Sequence, residues 1–298
     1  MSSIHVAKLL SSPTKFANRN WCYEFRNLPR LFDEAICQRN AGGIGQQYSE
    51  LTKAWNQERN SEWICRIYLS AKMILNSTLQ LMSLEFANER NLRAVNPYLK
   101  YYSVLSAIRC LVFTLPSVDW EGGKIAELTH SKTINIAFDY YSKFDKDRAK
   151  ELKHEVLLLK AQRELLAYRA PTSGDYGINE GLDIKSLCTS LAELAQFNSE
   201  ILEASIGKNA SKDTFAFKDE YIRQLSTLSI GGMEFEDRED WYRLDYLRRK
   251  WPAPPNIFHI MTEGHTEDFF VAWDPEEEDE EAFSTGSPHD WQLIFSIP

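Results

Sequence analysis

Three basic side chains in the middle of the sequence are candidates for chemistry. Arg109 is a lone cation in an apolar stretch, so it requires a bound anion, a carbonyl or an ion pair with Glu85 or Asp139. His130 stands where a helix is expected to begin, where it would act as a general base, bind phosphate, or only cap and pack the helix. If Arg109, His130 and Arg169 converge on one cavity, they form a binding site for an anion or ligand.

Other patterns point less directly to a site. The glycine-rich run 41–45 has no preceding strand and no following Gly-Lys-Ser/Thr, so it does not predict a phosphate-binding loop. The acidic run 274–281 lacks the ligand spacing of a calcium loop and indicates a solvated or partner-facing segment. His259, Glu263 and His265 could ligate a metal ion, although hairpin surfaces often carry such residues. We therefore expect neither a metal nor a cofactor.

A helical framework would position these candidates. The stretch 98–115 is apolar nearly all round, which predicts a helix enclosed by neighbours at the centre of an all-helical domain. The run 40–43 is expected to end the helix before it. Ser61 is expected to cap a long helix, and Thr129 or Ser131 is expected to cap the helix that follows residue 129. Apolar periodicity predicts further helices, at 29–39, 46–57, 61–87, 145–168, 183–206, 216–227 and 238–250.

The end of the chain differs in character. The segments 256–262, 268–273 and 290–297 each resemble a short strand, and the first two read as a hairpin. Residues 211–298 carry 20 acidic and eight basic side chains, whereas the remainder is close to neutral. The sequence therefore predicts a mainly α protein, in which a helical bundle precedes a small acidic C-terminal α+β appendage containing a short antiparallel sheet. The expected divisions are a lead-in with short helices at 1–60, the bundle at 61–210 and the acidic region at 211–298.

The bulk composition excludes several classes of protein. A hydrophobic fraction of 43% is that of a globular chain, and the net charge of −9 argues against a bulk nucleic-acid binder. No charge-free apolar run reaches the roughly 18 residues of a membrane span. The five cysteines are widely spaced and form no C-x-x-C pair, so a reducing cytoplasm is expected.

A family resemblance supports the helical prediction. The segments YYSVLSAIRCLVF and ELTHSKTINIAFDYY, with a turn between them, resemble HEPN-like helical domains, in particular the YaaC-like group. The later LLAYRAPTSGDYG is similar to the ending of some HEPN helices through Arg169, Asp175 and Tyr176. The resemblance spans about residues 60–205 and implies a compact helical bundle that is often dimeric.

The resemblance also implies two kinds of activity. Many HEPN-like proteins are metal-independent ribonucleases, and others have lost catalysis and serve as interaction modules. Active members use an Arg, a polar residue after it, and a His beyond four to six intervening residues. Arg148 and His154 match this spacing, but Ala149 replaces the polar residue. Six helical steps leave the two side chains about 120° apart, and about one such match is expected by chance, so the alternative is a solvated charged face.

We therefore expect a helical protein-interaction or accessory component of a bacterial anti-phage defence or toxin–antitoxin type system, without catalysis of its own. Its partner would be another protein, bound through the acidic C-terminal region. The family resemblance also implies that this protein forms a homodimer. One alternative is a metal-independent ribonuclease using Arg148 and His154, the only reading in which RNA is bound. Another is a small-molecule or nucleotide sensor with a pocket near Arg109 and His130.

Overall fold

The chain is mainly α-helical in a computed structural model that describes residues 14–172, 174, 181–276 and 281–298. None of the helices in these ranges combines the length and apolar character that a membrane span requires. Two antiparallel pairs of strands accompany the helices, β1 (Thr14–Phe16) with β2 (Arg19–Trp21) and β3 (Thr227–Ile230) with β4 (Met233–Glu236). The helices are α1 (Leu28–Leu31), α2 (Glu34–Lys53), α3 (Gln57–Glu89), α4 (Asn96–Phe113), α5 (His130–Tyr141), α6 (Lys146–Arg169), α7 (Ile184–Asn209), α8 (Asp219–Ser226), α9 (Arg238–Lys250), α10 (Ile257–Ile260) and α11 (Glu263–Val271).

Helix α4 lies at the centre of the bundle. It packs against α3, α5, α6 and α7. From Ser103 to Leu115 every residue except Arg109 is buried. A helix that is apolar on all sides is stable in water only when each side contacts another element. The prediction that 98–115 is enclosed by helices is therefore confirmed.

Helix α2 runs through the residues that were expected to break it. Residues 40–43 lie inside the helix, because Cys37, Ile44 and Tyr48 form a buried stripe on the side that faces the core. The two glycines at 42 and 43 are exposed, and their intrinsic cost of about 1 kcal/mol each is smaller than the gain from burying that stripe. The predicted helices 29–39 and 46–57 are therefore wrong in their bounds: one long helix follows the single turn α1.

Side-chain caps fix where two of the core helices begin. Asn56 caps α3 by accepting the backbone N–H of Arg59 at 2.9 Å, five residues before the predicted cap. Ser61 is instead buried inside α3, where its hydroxyl accepts the backbone N–H of Lys218 at 3.0 Å. Of the two caps considered for α5, Thr129 is the one observed. Ser61 therefore links the C-terminal region to the bundle rather than starting a helix.

The antiparallel sheet of the C-terminal region consists of β3 and β4, and the strands predicted at 256–262, 268–273 and 290–297 are wrong. Those segments contain α10, α11 and a turn of 3-10 helix at Asp290–Gln292. Asn256 and Thr262 cap α10 and α11 through their side chains, and these local hydrogen bonds favour helix where the apolar pattern alone indicated strand. Gly231 and Gly232 form the turn between β3 and β4 with φ of 61° and 81°, a conformation that favours glycine.

One connected hydrophobic core includes residues from all three predicted divisions of the chain. Near the C-terminus, Phe295 stacks on Tyr23 with ring centroids 4.5 Å apart, and the backbone N–H of Ser296 donates to the Tyr23 hydroxyl at 3.1 Å. The division into 1–60, 61–210 and 211–298 stays a prediction. The shared core means that a change at one end of the chain affects contacts made by the other.

Two carboxylates of α7, the buried Glu193 and the partly buried Glu200, fasten the N-terminal segment to the bundle. Glu193 accepts the backbone N–H groups of residues 26–28 at 2.6–3.1 Å, and Glu200 accepts those of residues 22–23 at 2.9 and 3.1 Å. Burial raises the pKa of both carboxyl groups, while these hydrogen bonds lower it. A segment with little regular structure is thereby held in place by side chains of a distant helix.

Candidate functional site

A cleft of about 440 Å³ lies between α3, α9 and α11. Its size is that of many ligand-binding sites. Tyr68 and Lys72 of α3 face Asp240 and Arg243 of α9, and α11 contributes His265. Helix α3 is far in the sequence from α9 and α11, and an adjoining small cavity shares three of the same side chains. The cleft is therefore the place where polar and aromatic groups of the bundle and of the C-terminal region converge.

A network of hydrogen bonds and ion pairs joins α3 to α9 inside the cleft. The Tyr68 hydroxyl donates to Asp240 at 2.6 Å, and the Lys72 ammonium pairs with Asp240 and, at 3.4 Å, with Asp237. Asp237 also caps α9 by accepting the backbone N–H of Asp240 at 3.0 Å. Burial and then the Asp240 carboxylate raise the pKa of Tyr68, so its hydroxyl stays a donor. The network fixes the orientation of α9 relative to α3.

Arg243 connects α9 to α11. Its guanidinium pairs with Asp268 and donates to the backbone carbonyl of Gly264 at 3.3 Å. Arg243 is mostly buried, whereas the Asp268 side chain is 52% exposed. The Asp268 carboxylate therefore keeps a face toward solvent while it holds α11 in place.

His265 is a buried neutral base at the back of both cavities. Burial, followed by the nearby cations Arg243 and Lys72, lowers the pKa of His265 to about 3. Its Nε2 atom is buried and has no hydrogen-bond partner among the described residues. Its ring lies 5.7 Å from that of Tyr68. A neutral imidazole with one unsatisfied nitrogen can donate to or accept from a ligand that enters the cleft.

The open side of the cleft combines rings with an excess of carboxylates. Four acidic side chains and two cations line it, the acids being Asp237, Glu239, Asp240 and Asp268. Phe269 and Trp273 supply aromatic walls, and Trp273 is 57% exposed. On the same helix as Asp240 but outside the cleft lining, the side chains of Trp241 and Tyr242 contact each other and are also exposed. Exposed aromatic side chains around a cleft are typical of binding surfaces.

The structure brings two of the three predicted anion-site residues together. The pKa of His130 is lowered by burial and then by Arg109, which places the guanidinium within electrostatic reach of the imidazole. Arg163 and Lys160 of α6 complete this group of cations, whereas the predicted third member, Arg169, lies exposed at the end of α6. Neither ion pair expected for Arg109, with Glu85 or with Asp139, is present among the described contacts. The cations of α6 that act on His130 are therefore Arg163 and Lys160, and the anion site itself stays a prediction.

The proposed catalytic pair lies on the surface of α6. Arg148 and His154 are both exposed, and Arg148 pairs with Glu151 of its own helix at 3.2 Å. The side chain beside Arg148 in the motif, Ala149, is buried in the core. This arrangement is that of a solvated helix face carrying an ion pair three residues apart.

The remaining predicted features have mixed outcomes. Asp175 and Tyr176, and positions 277–280 of the acidic run, lie outside the described residues. His259 pairs with Glu203 at 3.4 Å and stacks on Trp251, so it does not join His265 in a hairpin. Within the described ranges, no group of three or more His, Cys, Asp or Glu side chains is arranged to hold a metal ion.

Sequence reasoning missed the cleft. Its walls come from residues 68–76, 237–243 and 265–273, and no pattern in a single sequence shows that these segments meet. The exposed rings Trp241 and Tyr242 on α9 mark that helix as a contact surface, but they lie outside the cleft lining and so do not locate the cleft. Comparison of the chain with protein-family models, with curated proteins and with solved structures finds no match.

Proposed function

We propose that the protein acts in the cytoplasm as a protein-binding module that receives a basic segment of its partner in the cleft between α3, α9 and α11. The observation that carries this proposal is an uncovered cleft with aromatic walls and twice as many carboxylates as cations. Most charged groups inside the cleft are already paired with one another, so they hold its shape. The rings and the solvent-facing carboxylates are left to meet a partner.

Charge decides the kind of partner. Residues 211–298 carry 20 acidic and eight basic side chains, and the cleft lies along this region. His265 is neutral at physiological pH, so it does not offset the carboxylates. A Lys or Arg side chain of a partner would meet Glu239 and Asp268 and would lie against the Trp273 ring, where charge-assisted hydrogen bonds and a cation–π contact add together.

Two single substitutions in the cleft test the proposal without disturbing its internal network. Glu239→Lys reverses an exposed carboxylate, and Trp273→Ala removes an exposed ring. The probe is an array of peptides in which Lys or Arg stands beside an apolar residue, with acidic counterparts. We expect the basic peptides to bind and each variant to weaken them by roughly tenfold, which is the loss of a typical interface anchor.

Matched control variants distinguish an effect of the cleft from a general effect of reversing a charge or removing an exposed ring. Glu267→Lys makes the same charge reversal on α11 outside the cleft lining, and Tyr168→Ala removes an exposed ring on α6. Equal weakening by the controls, or equal binding of acidic peptides, would overturn the proposal. Point variants are preferable to deletion of 251–298, because that deletion also removes the buried Phe295 from the shared core.

The setting of this binding role rests on the family resemblance alone. We infer from it an accessory role in a bacterial defence or toxin–antitoxin type system, and a homodimer remains a prediction. The ribonuclease alternative also stays a prediction, and the exposed, paired position of Arg148 on α6 favours the binding role over it.

A further inference from the structure

A group of cations belonging to three packed helices lies apart from the residues that line the cleft. Helix α4 provides Arg109, α5 begins with His130, and α6 provides Lys160 and Arg163. These three helices contact one another pairwise. The Lys160 ammonium donates to Ser131, beside His130, at 3.2 Å, so α6 reaches the first turn of α5.

Two tyrosines of α4 hold the group together. The Tyr101 hydroxyl and the His130 Nδ1 atom are hydrogen-bonded at 2.9 Å. The Arg163 guanidinium lies over both rings, with its carbon 5.3 Å from the centre of Tyr101 and 5.7 Å from that of Tyr102. Its Nε atom is buried and has no hydrogen-bond partner among the described residues. Stacking on rings fixes the guanidinium while leaving donors unused.

The positive charges in this group outnumber the negative ones. Glu164 pairs with both Lys160 and Arg163, at 3.8 and 3.4 Å, and is half exposed. Arg109 is largely buried, and no carboxylate of the described chain is among the groups that favour its charged form. A buried guanidinium without a carboxylate partner is costly, and a bound anion would remove that cost.

Burial and the positive charges of this group lower the pKa of His130. Burial has the largest effect, followed by Arg109, Arg163 and Lys160, whereas Glu164 raises the pKa. The imidazole also stands at the first position of α5, where backbone N–H groups have no acceptor within the helix.

We propose that Arg109, His130, Lys160 and Arg163 bind the phosphate group of a small soluble ligand. A phosphate oxygen would be the anionic partner that the Arg109 guanidinium otherwise lacks. Lys160 and the backbone N–H groups at the start of α5 would supply further donors. The site uses none of the cleft residues, so it adds a second ligand to the proposed binding function.

Calorimetric titration of the full chain with inorganic phosphate, pyrophosphate and AMP tests this proposal. We expect saturable binding that Arg109→Gln and Lys160→Gln each weaken by roughly tenfold, the loss of one charge-assisted contact. Lys160 lies on α6 and not in the central helix α4, so its variant keeps the test open if Arg109→Gln fails to fold. Tighter binding of AMP than of phosphate would assign a nucleotide, whereas equal binding would assign the phosphate group alone.

The control is Arg169→Gln, which removes the same charge from an exposed position on α6. Nuclear magnetic resonance of the imidazole gives a second readout, because a bound dianion must raise the pKa of His130, and Arg109→Gln must need a roughly tenfold higher phosphate concentration for the same rise. Equal weakening by Arg169→Gln, an unmoved His130 pKa, or no saturable binding at millimolar concentration would overturn the proposal.

Discussion

His265 shows how one side chain in the cleft makes stability depend on pH. Its folded-state pKa is about 3, while the same group in the unfolded chain titrates near 6.5. A depressed pKa contributes stability that is present above pH 6.5 and is lost as the pH falls toward 3. Protonation of this one imidazole in the unfolded chain therefore lowers the free energy of unfolding at pH 5 by about 2 kcal/mol relative to its value at neutral pH.

We therefore predict that His265→Gln reduces the loss of stability between pH 7 and pH 5 by about 2 kcal/mol. The measurement is urea denaturation of wild type and variant at both pH values. Comparing the two proteins cancels the contributions of Asp237 and Asp240, which both retain. The control is His289→Gln, whose side chain is exposed. An equal pH dependence in wild type and His265→Gln would contradict the assignment of a buried neutral imidazole.

At the scale of elements, the helices that could be predicted are those whose cause is local. The all-round apolar character of α4 and the Thr129 cap of α5 are both readable in the sequence, and both are confirmed. The prediction that the glycines would end a helix near residue 43 was wrong for α2. Burial of Ile44 and Tyr48 against other helices stabilises α2 by more than the two glycines destabilise it. The cleft depends on which surfaces of distant helices meet, and packing of this kind leaves no trace in a single sequence.

The attachment of the N-terminal segment to α7 is another element-level feature that local patterns do not reveal. Glu193→Gln should destabilise the fold by about 1–3 kcal/mol, because both oxygens of the carboxyl group, charged or neutral, can accept backbone N–H groups of residues 26–28, whereas the amide NH2 of Gln cannot. Thermal or urea denaturation measures the loss, and Glu267→Gln at an exposed position is the control.

The pH dependence of the Glu193→Gln effect has a definite sign. Burial raises the folded pKa of Glu193, so its favourable contribution is complete below pH 4.5 and declines as the pH rises through the folded value. The variant has no such titration. Its deficit should therefore be larger at pH 4 than at pH 7, and a deficit that grows with pH would show that the carboxylate is stabilised mainly in its charged form.

At the scale of the whole molecule, the two ends of the described chain meet in one core. Phe295 is buried against Tyr23, and Ile294 beside it is also buried. The C-terminal acidic region is thus attached to the bundle through apolar contacts at its end and through the Tyr68–Asp240 network near its middle. A region held at both places is expected to unfold together with the bundle.

Phe295→Ala should therefore lower the free energy of unfolding of the entire protein by about 3–5 kcal/mol, the usual cost of removing a buried aromatic ring. Circular dichroism follows the helices of the bundle, and tryptophan fluorescence follows residues in every region of the chain, including Trp21, Trp120 and Trp291. The two signals should give one coincident transition in wild type and variant alike. If the variant instead lost part of its fluorescence signal together with the helical signal of α8–α11 in an early transition, the C-terminal region would unfold independently of the bundle.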